Sequence, residues 1–445
     1  MLFDTTPLGD DALLHVRKII DLSQNFLHYQ WDPRSFNGYN PSIGFAWASY
    51  APPALLVKMG LDPLFVFHVT FISYFVILMP SIYYFARTVG ARRHIAIIVS
   101  VLGWSTAGYW GYIGGGAYSR VFTLPFAFLA LGLTYHFATT QNKGVNLGKI
   151  YWLLLASWFV VMLGDIYISA VPIAVAMPFL VLSAGWRRWQ LGLRRLGVVM
   201  IPAFVLTSWF WIPTVVHAVS VGSPPSESPI FAASQVFWIG PIVTVIGFLF
   251  RRRLQLSVFQ PERVVMLFSL NLVSIYFLVM GAFTPLWPYI PRFWATYDSF
   301  NILSFLFPMI VASLFTWFRS PRRTTILRIL AIALIIVVTV NGVQTILLLK
   351  PPNRIPQEQN FAYAFSGNLA DASEFRVSLQ GRTSTRWYPF YYPNYSQTGG
   401  RVRGLDPNPY YQSWFDTEVY FKDDLDKLST VYLEDQPQFD LSSLI

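Results

Sequence analysis

Ten long apolar runs constrain this chain more than any other feature of its 445 residues. A helix that crosses a membrane needs about 20 predominantly apolar residues. Only 12% of the residues are charged and 54% are hydrophobic, whereas about a quarter of an ordinary soluble domain is charged. The pattern predicts an all-α polytopic membrane protein with about ten transmembrane helices. The predicted spans are Leu64–Ala86, Ile95–Ile113, Val121–Ala138, Ile150–Gly164, Ile166–Ala184, Leu196–His217, Ile230–Phe250, Val264–Thr284, Ser299–Phe318 and Ile329–Leu349.

The turns between these runs alternate in charge, and the alternation predicts their orientation. Every second turn is basic: 17 of the 32 Lys and Arg residues lie there with a single acid, Glu262, which gives +16 on that side and −6 on the other. Short loops rich in Lys and Arg stay in the cytoplasm. The net charge of +10 therefore reflects orientation in the plasma membrane, and no nucleic-acid partner is expected.

The hydropathy profile divides the chain into three regions. Residues 1–62 form the first extracytoplasmic loop, 63–350 the transmembrane helical domain, and 351–445 an extracytoplasmic C-terminal module. The module is expected to be small and mixed α/β, with a strand at Phe375–Leu379, and it ends without a closing feature, as a truncated part of a larger domain would. Because residues 1–11 contain no signal peptide, a missing preceding helix and a genuine N-out protein both stay open.

The first loop carries acids directly before a predicted helix. Asp10 or Asp11 is suited to cap an amphipathic helix that lies on the membrane surface. Asp11 and His15 are four residues apart and share one helix face. Such a carboxylate and imidazole can act as a general base on a sugar hydroxyl or bind a metal. A cap with a neighbouring surface histidine explains the same spacing, and both interpretations stay open.

Two further polar residues interrupt the apolar pattern on the outer side. Asp165 lies between the short fourth and fifth runs, which are typical of a bent hairpin, and an ionisable group at that depth suggests function. Arg120 follows the run Gly114-Gly115-Gly116 and has the guanidinium chemistry that clamps phosphate. Snorkelling of the arginine to the interface is the alternative. Arg292 is a second, weaker candidate for a phosphate ligand.

Short motifs in the outer loops resemble a known superfamily. They are Asp10-Asp11 followed by His15, the downstream Trp31, the turn Asn37-Gly38-Tyr39-Asn40-Pro41, the segment Tyr50-Ala51-Pro52-Pro53 and the segment from Tyr112 to Arg120. The motifs from Asp10 to Pro53 resemble the first external loop of the GT-C superfamily, membrane glycosyltransferases that use polyprenyl-phosphate-linked sugars, and the segment from Tyr112 to Arg120 is a second matching stretch. More narrowly, the chain is similar to the pyruvoyl-tetrahydropterin synthase-related membrane protein family.

The resemblance implies roles for several of these residues. Asp11 or Asp10 would be the catalytic acid of the first loop, with Asp11 favoured by its spacing to His15. Asp165 would be the second acid, and His15 and Asp165 would assist catalysis. A divalent cation, Mg or Mn, held by Asp10, Asp11 and Asp165 stays open. Arg120, and more weakly Arg292, would hold the lipid phosphate.

The implied function is transfer of a sugar from a polyprenyl-phosphate donor to a glycan, lipid or protein acceptor at the extracytoplasmic face. Membrane lipids are the other expected partners. The alternative is a non-catalytic scaffold or a lipid or glycan transporter with the same fold. Transporters place ionisable groups near the bilayer midplane, whereas the predicted span cores lack Asp, Glu, Lys and Arg, with Asp165 as the one doubtful case.

Overall fold

A computed structural model of the chain describes residues 12–24, 46–104, 117–141, 143–144, 146–184 and 188–221, together with 266, 269–270, 309, 376–377 and 396–397. The described residues between 12 and 221 are almost entirely helical. The elements in chain order are α1 Ala12–Gln24, α2 Trp47–Lys58, α3 Pro63–Thr88, α4 Arg93–Trp104, α5 Tyr118–Gln141, α6 Gly148–Met162, α7 Ile166–Leu182, α8 Trp189–Val221, β1 Arg376–Val377 and β2 Ser396–Gln397.

Six of the predicted spans coincide with the helices α3 to α8. By length and composition, α3, α5 and the Trp189–Pro213 part of α8 are able to cross a membrane. Helices α4, α6 and α7 are equally apolar but shorter, with 12, 15 and 17 residues. The other four predicted spans lie outside the described residues, except for isolated helical positions within two of them. The described part is thus that of a helical membrane protein, and the total of ten spans stays a prediction.

Helix α5 is the centre of the described bundle. It packs against α3, α6 and α7, and 17 of its 24 residues are buried. Small residues permit this close packing, as is common between membrane helices. A Cβ atom on Gly132 would lie 2.9 Å from the Tyr84 ring of α3. Because α5 contacts α3, α6 and α7, these three helices fix its position in the bundle.

Helix α1 forms where the sequence predicts it, but its surroundings differ from those expected. A helix on the membrane surface would expose its polar face, whereas Arg17 and Asp21 are 8% and 3% exposed. Their side chains pair in parallel, with Nε–Oδ2 3.0 Å and Nη2–Oδ1 2.8 Å. This bidentate pairing satisfies the polar groups that burial removes from water. α1 therefore packs inside the protein, against α2 and α3.

Helix α2 replaces part of what the sequence predicts as a loop. The pair Pro52-Pro53 is typical of a loop, yet both prolines lie within the helix Trp47–Lys58. Each proline removes one helical N–H donor. A residue outside α2 holds the start of this helix in place, because the Ala48 amide donates a hydrogen bond to the Leu163 carbonyl at 2.9 Å. This hydrogen bond joins α2 to the connection between α6 and α7.

The C-terminal module is described at two short strands only. β1 and β2 pair in parallel, with Arg376 opposite Ser396. β1 falls inside the predicted strand Phe375–Leu379. The remainder of the predicted module lies outside the described residues.

Candidate functional site

The connection between α6 and α7 is a tight turn held against α5. α6 ends at Met162 and α7 begins at Ile166, which matches the predicted bent hairpin. A Cβ atom on Gly164 would overlap Thr123 Oγ1, so only glycine fits this approach. The next amide, Asp165 N–H, donates to the same Thr123 Oγ1 at 2.8 Å. The turn therefore has one fixed position on α5.

This fixed turn places the Asp165 carboxylate among three partners. Ser119 Oγ donates to Oδ2 at 3.0 Å, and Arg120 Nε lies 3.8 Å from the same oxygen. Oδ1 accepts from the Ile168 amide at 3.3 Å, which caps the start of α7. The side chains of Arg120 and Asp165 are 17% and 12% exposed. Two residues selected independently from the sequence thus form an ion pair.

Helix α1 adds an imidazole and an ammonium group to the same region. His15 and Lys18 are three residues apart and therefore share one face of α1. His15 Nδ1 lies 2.5 Å from the Tyr50 hydroxyl, and its ring centroid is 6.0 Å from that of Tyr118. Lys18 Nζ lies 5.8 Å from the centroid of the Tyr50 ring. We call His15, Lys18, Tyr50, Tyr118, Arg120 and Asp165 the polar cluster.

Burial sets the charge state of the two α1 groups. It lowers the pKa of Lys18 to about 8, although Asp165 favours the charged ammonium. Burial also holds the pKa of His15 well below its usual value, and the positive charges of Lys18 and Arg120 act in the same direction. At neutral pH His15 is therefore a neutral imidazole. Two cations, Lys18 and Arg120, then accompany one carboxylate, Asp165.

An aromatic layer supports the polar cluster from α2, α3 and α5. Tyr118 stacks on Tyr50 and on Phe67, with centroid distances of 5.8 and 5.0 Å. Its hydroxyl shares a hydrogen bond with Thr70 Oγ1 at 2.6 Å. Stacked aromatic pairs each add about 0.5–1.5 kcal/mol beyond their buried area. The layer therefore fixes the first residue of α5, and with it Ser119 and Arg120.

The sequence-predicted site residues divide into two groups. His15, Arg120 and Asp165 meet in the polar cluster, whereas Asp10, Asp11 and Arg292 lie outside the described residues. The roles assigned to all six stay predictions. Sequence reasoning missed three members of the cluster, namely Lys18, Tyr50 and Tyr118. The i, i+3 spacing from His15 was the available signal for Lys18, and Tyr50 stands in the quoted segment Tyr50-Ala51-Pro52-Pro53.

The described residues do not fit a divalent cation by themselves. No group of three His, Asp or Glu side chains gathers anywhere in the part of the chain that the structure describes. Mg²⁺ and Mn²⁺ favour several oxygen ligands, carboxylates above all. Asp165 is the one carboxylate of the polar cluster, and it already faces two cations. A site that includes Asp10 and Asp11 lies outside the described residues, so no step below depends on a metal.

Comparisons with known proteins find a likeness in structure alone. No protein-family model matches the sequence, and no curated protein matches it either. The fold is similar to that of the Archaeoglobus fulgidus oligosaccharyltransferase tethered with an acceptor peptide that contains an NVT sequon, with TM-score 0.56 and 13% identity over 88% of this chain and 60% of that one. The same enzyme in complex with Zn and sulfate gives TM-score 0.53 and 13% identity over 90% of this chain and 60% of that one.

The chain thus spans about 60% of the length of the solved structures that it resembles. At this level of identity the likeness establishes the fold and leaves activity, substrates and partners to be proposed. It supports the expected GT-C-like fold, and it does not extend to the narrower pyruvoyl-tetrahydropterin synthase-related family. The chain shares the fold of a GT-C type membrane oligosaccharyltransferase.

Proposed function

We propose that the chain is a membrane glycosyltransferase of GT-C type. It takes a sugar from a polyprenyl-phosphate donor at the extracytoplasmic face of the plasma membrane and passes it to a hydroxyl group of a glycan, lipid or protein. The observation that carries this proposal is the polar cluster, in which the partly buried cations Lys18 and Arg120 lie with the Asp165 carboxylate at the junction of α1, α5 and α7. The shared fold supports the same conclusion.

The positive groups of the cluster have the chemistry that binds phosphate. Lys18 and Arg120 both lie close to the Asp165 carboxylate, and a sugar phosphodiester carries one negative charge. A guanidinium can bind two phosphate oxygens at once, and an ammonium acts as a point charge. Exposed apolar side chains on α3 and α8, such as Val76 and Val205, offer a lipid-facing surface for the polyprenyl chain.

The reaction is written with Asp11 as base, as the resemblance implies. The Asp11 carboxylate takes the proton of the acceptor hydroxyl, and the hydroxyl oxygen bonds to the anomeric carbon of the sugar. The bond from that carbon to the phosphate oxygen breaks, and polyprenyl phosphate leaves with the electron pair. Arg120 and Lys18 stabilise the charge that grows on the leaving phosphate, which is the effect of preorganised positive groups. Asp11 directly precedes Ala12, the first residue of α1.

The proposal names one class of donor but leaves three classes of acceptor open. The Archaeoglobus enzyme is described with a tethered acceptor peptide, so a protein is one of the acceptor classes to test here, beside glycans and lipids. The narrower family resemblance is part of the proposal and is supported by the outer-loop motifs alone. Arg292 is kept as a second, weaker phosphate ligand because of its guanidinium group.

The decisive experiment is sugar transfer in membranes that contain the chain and labelled polyprenyl-phosphate sugars. The wild type is compared with Asp10→Asn, Asp11→Asn and a matched control, Asp62→Asn. Asp62 is exposed and caps α3 by accepting from the Phe65 amide at 2.8 Å, and asparagine caps equally well. We expect the Asp11 variant to lose about 100-fold or more in rate, as removal of an acid–base group does, while the Asp62 variant retains the wild-type rate.

Two outcomes contradict the proposal at different levels. Full activity in both the Asp10 and the Asp11 variant shows that the catalytic assignment is wrong. Absence of any transfer by the wild type across sugar donors and a broad acceptor panel favours the scaffold or transporter alternative.

A further inference from the structure

The hydrogen bond between His15 and Tyr50 constrains what the imidazole can do. A neutral imidazole has one N–H donor and one nitrogen acceptor. Nδ1 is occupied by the Tyr50 hydroxyl at 2.5 Å, and within the described residues Nε2 has no hydrogen bond to the protein. Nε2 is therefore the nitrogen that can meet a substrate. Which nitrogen carries the proton then decides whether His15 donates or accepts there.

We infer that Tyr50 is a positioning residue that holds His15 in the tautomer protonated at Nε2, so that His15 donates a hydrogen bond to an anionic oxygen of the bound donor. This inference rests on the proposed function and refines it. The sequence suggested that His15 assists Asp11 in removing a proton. We infer instead that His15 acts as a neutral hydrogen-bond donor.

The chemistry of the two groups favours this direction of the hydrogen bond. A phenol O–H is a stronger donor than an imidazole N–H, and an imidazole nitrogen is a stronger acceptor than a phenol oxygen. Tyr50 therefore donates to Nδ1, and the ring proton resides on Nε2. The ring also lies against two tyrosines, at 5.7 Å and 25° from Tyr50 and at 6.0 Å and 36° from Tyr118. These contacts fix its orientation.

The surrounding charges favour a neutral donor over a third cation. The groups that face His15 are Lys18 on α1, Tyr50 on α2, and Tyr118 and Arg120 on α5, while Asp165 interacts with the two cations. Two of them are cations, and both oppose protonation of the imidazole. A neutral Nε2–H adds a hydrogen bond to a phosphate oxygen without adding a further like charge. That hydrogen bond strengthens as charge grows on the leaving phosphate.

The first test compares His15→Gln with His15→Ala in the transfer assay. A glutamine amide can place an N–H near the position of Nε2, but it takes no proton at neutral pH. We expect the alanine variant to lose about 100-fold in kcat, the usual cost of one transition-state donor, and the glutamine variant to recover most of that loss. A glutamine variant as slow as the alanine variant contradicts a donor role.

The second test reads the tautomer directly and requires no activity. The ¹⁵N spectrum of imidazole-labelled protein contains six histidines, and the signals of His15 are those lost in His15→Gln. We expect a protonated Nε2 and an unprotonated Nδ1 in the wild type, and a mixture of tautomers in Tyr50→Phe. Tyr151→Phe, which removes a hydroxyl bonded to the Val198 carbonyl on α8, is the control and leaves the His15 signals unchanged. A wild-type ring protonated at Nδ1 overturns the inference.

The two tests separate this inference from the proposed function. If the wild type transfers no sugar while the ring is protonated at Nε2, the proposed function fails and the tautomer assignment stands. If the wild type transfers sugar while the ring is protonated at Nδ1, the donor role fails and the proposed function stands.

Discussion

Lys18 and Arg120 show how burial and charge compete within the polar cluster. Burial opposes the charged form of Lys18, and Asp165 supports it, which leaves its pKa at about 8. The lysine is therefore charged at neutral pH but close to its titration range. An anion bound beside it would stabilise the charge further. The cluster is built to hold positive charge in a place where an isolated ammonium would be costly.

Replacing Lys18 tests its contribution to donor binding. In Lys18→Met we expect KM for the lipid-linked sugar to rise about 10- to 100-fold, because one charged hydrogen bond is worth roughly 1.5–3 kcal/mol. Lys18→Arg should retain most of the affinity. Lys58→Met is the control, because Lys58 is exposed at the end of α2. An unchanged KM in Lys18→Met would remove this residue from the donor site.

The pH dependence of donor binding follows from the lowered pKa of Lys18. The ammonium is charged below about pH 8 and loses its proton above it. Affinity for an anionic donor should therefore fall between pH 7 and pH 9. Lys18→Arg should abolish this fall, since a guanidinium stays charged throughout the range. The measurement is KM for the donor at constant ionic strength, and a flat wild-type profile would contradict the role of Lys18.

Asp165 has a structural role that can be separated from its charge. Asparagine can still accept from the Ile168 amide and from Ser119, whereas alanine removes both hydrogen bonds. We expect Asp165→Ala to unfold at lower temperature than Asp165→Asn, with a difference of about 1 kcal/mol for the lost cap. Both variants should lose transfer activity if the charge opposite Arg120 is needed. Equal stability of the two variants would show that the cap is unimportant.

Single residues were predictable here when they broke an apolar pattern. Arg120 and Asp165 are conspicuous because they stand alone beside long hydrophobic runs, and the structure pairs them. Their distance could not be predicted, because it depends on how α5 packs against the turn before α7. Lys18 was missed because the expected surface helix would have left it exposed to solvent.

Among the elements, the helices that hydropathy predicts agree well with the structure. The prolines of α2 wrongly indicated a loop. The predicted spans on α3, α5 and α7 agree with the observed helices to within a few residues, because twenty apolar residues have few other stable arrangements in a membrane. α2 was predicted as loop from Pro52-Pro53. Its start is held by the Leu163 carbonyl, a tertiary contact that local sequence does not encode.

The turn between α6 and α7 should tolerate no side chain at Gly164. In Gly164→Ala the new methyl group would overlap Thr123 Oγ1, and Thr123 is itself held by donating to the Ser119 carbonyl at 2.8 Å. We expect a loss of about 1–3 kcal/mol, measured by thermal unfolding in detergent. Combining it with Thr123→Ala should recover part of the loss.

Gly197→Ala in α8 is the matched control for this substitution. A Cβ atom there would meet only Ile201 Cδ1, at 3.7 Å. Alanine in a helix is favoured over glycine by up to about 1 kcal/mol, so this variant should be as stable as the wild type or slightly more stable. A Gly164→Ala protein of wild-type stability would show that the turn adapts.

At the scale of the whole molecule, the orientation in the membrane is the most general prediction. The chain has no cysteine, so single cysteines can be introduced without further changes. In intact cells, a membrane-impermeant maleimide should label Lys58→Cys and leave Lys143→Cys unlabelled until the cells are opened. Both positions are exposed. Labelling of Lys143→Cys in intact cells would reverse the predicted orientation.

The fold likeness and the polar cluster are independent observations, one on the whole chain and one on a single junction of helices. The likeness covers most of the chain but carries no residue-level information at 13% identity. The cluster is local, and it joins α1, α2, α5 and the turn before α7. The proposed function therefore requires that the donor phosphate lies at this junction.

Photocrosslinking measures the position of the donor phosphate most directly. A polyprenyl-phosphate analogue with a diazirine next to the phosphate is irradiated with the wild-type protein in membranes, and the labelled peptides are mapped by mass spectrometry. If the phosphate binds at the polar cluster, residues 12–24 and 117–120 are labelled, and the labelling is reduced by competition with unlabelled polyprenyl phosphate and in Arg120→Gln. Competable labelling confined to the opposite ends of the helices, around residues 141–149, would contradict binding at the polar cluster.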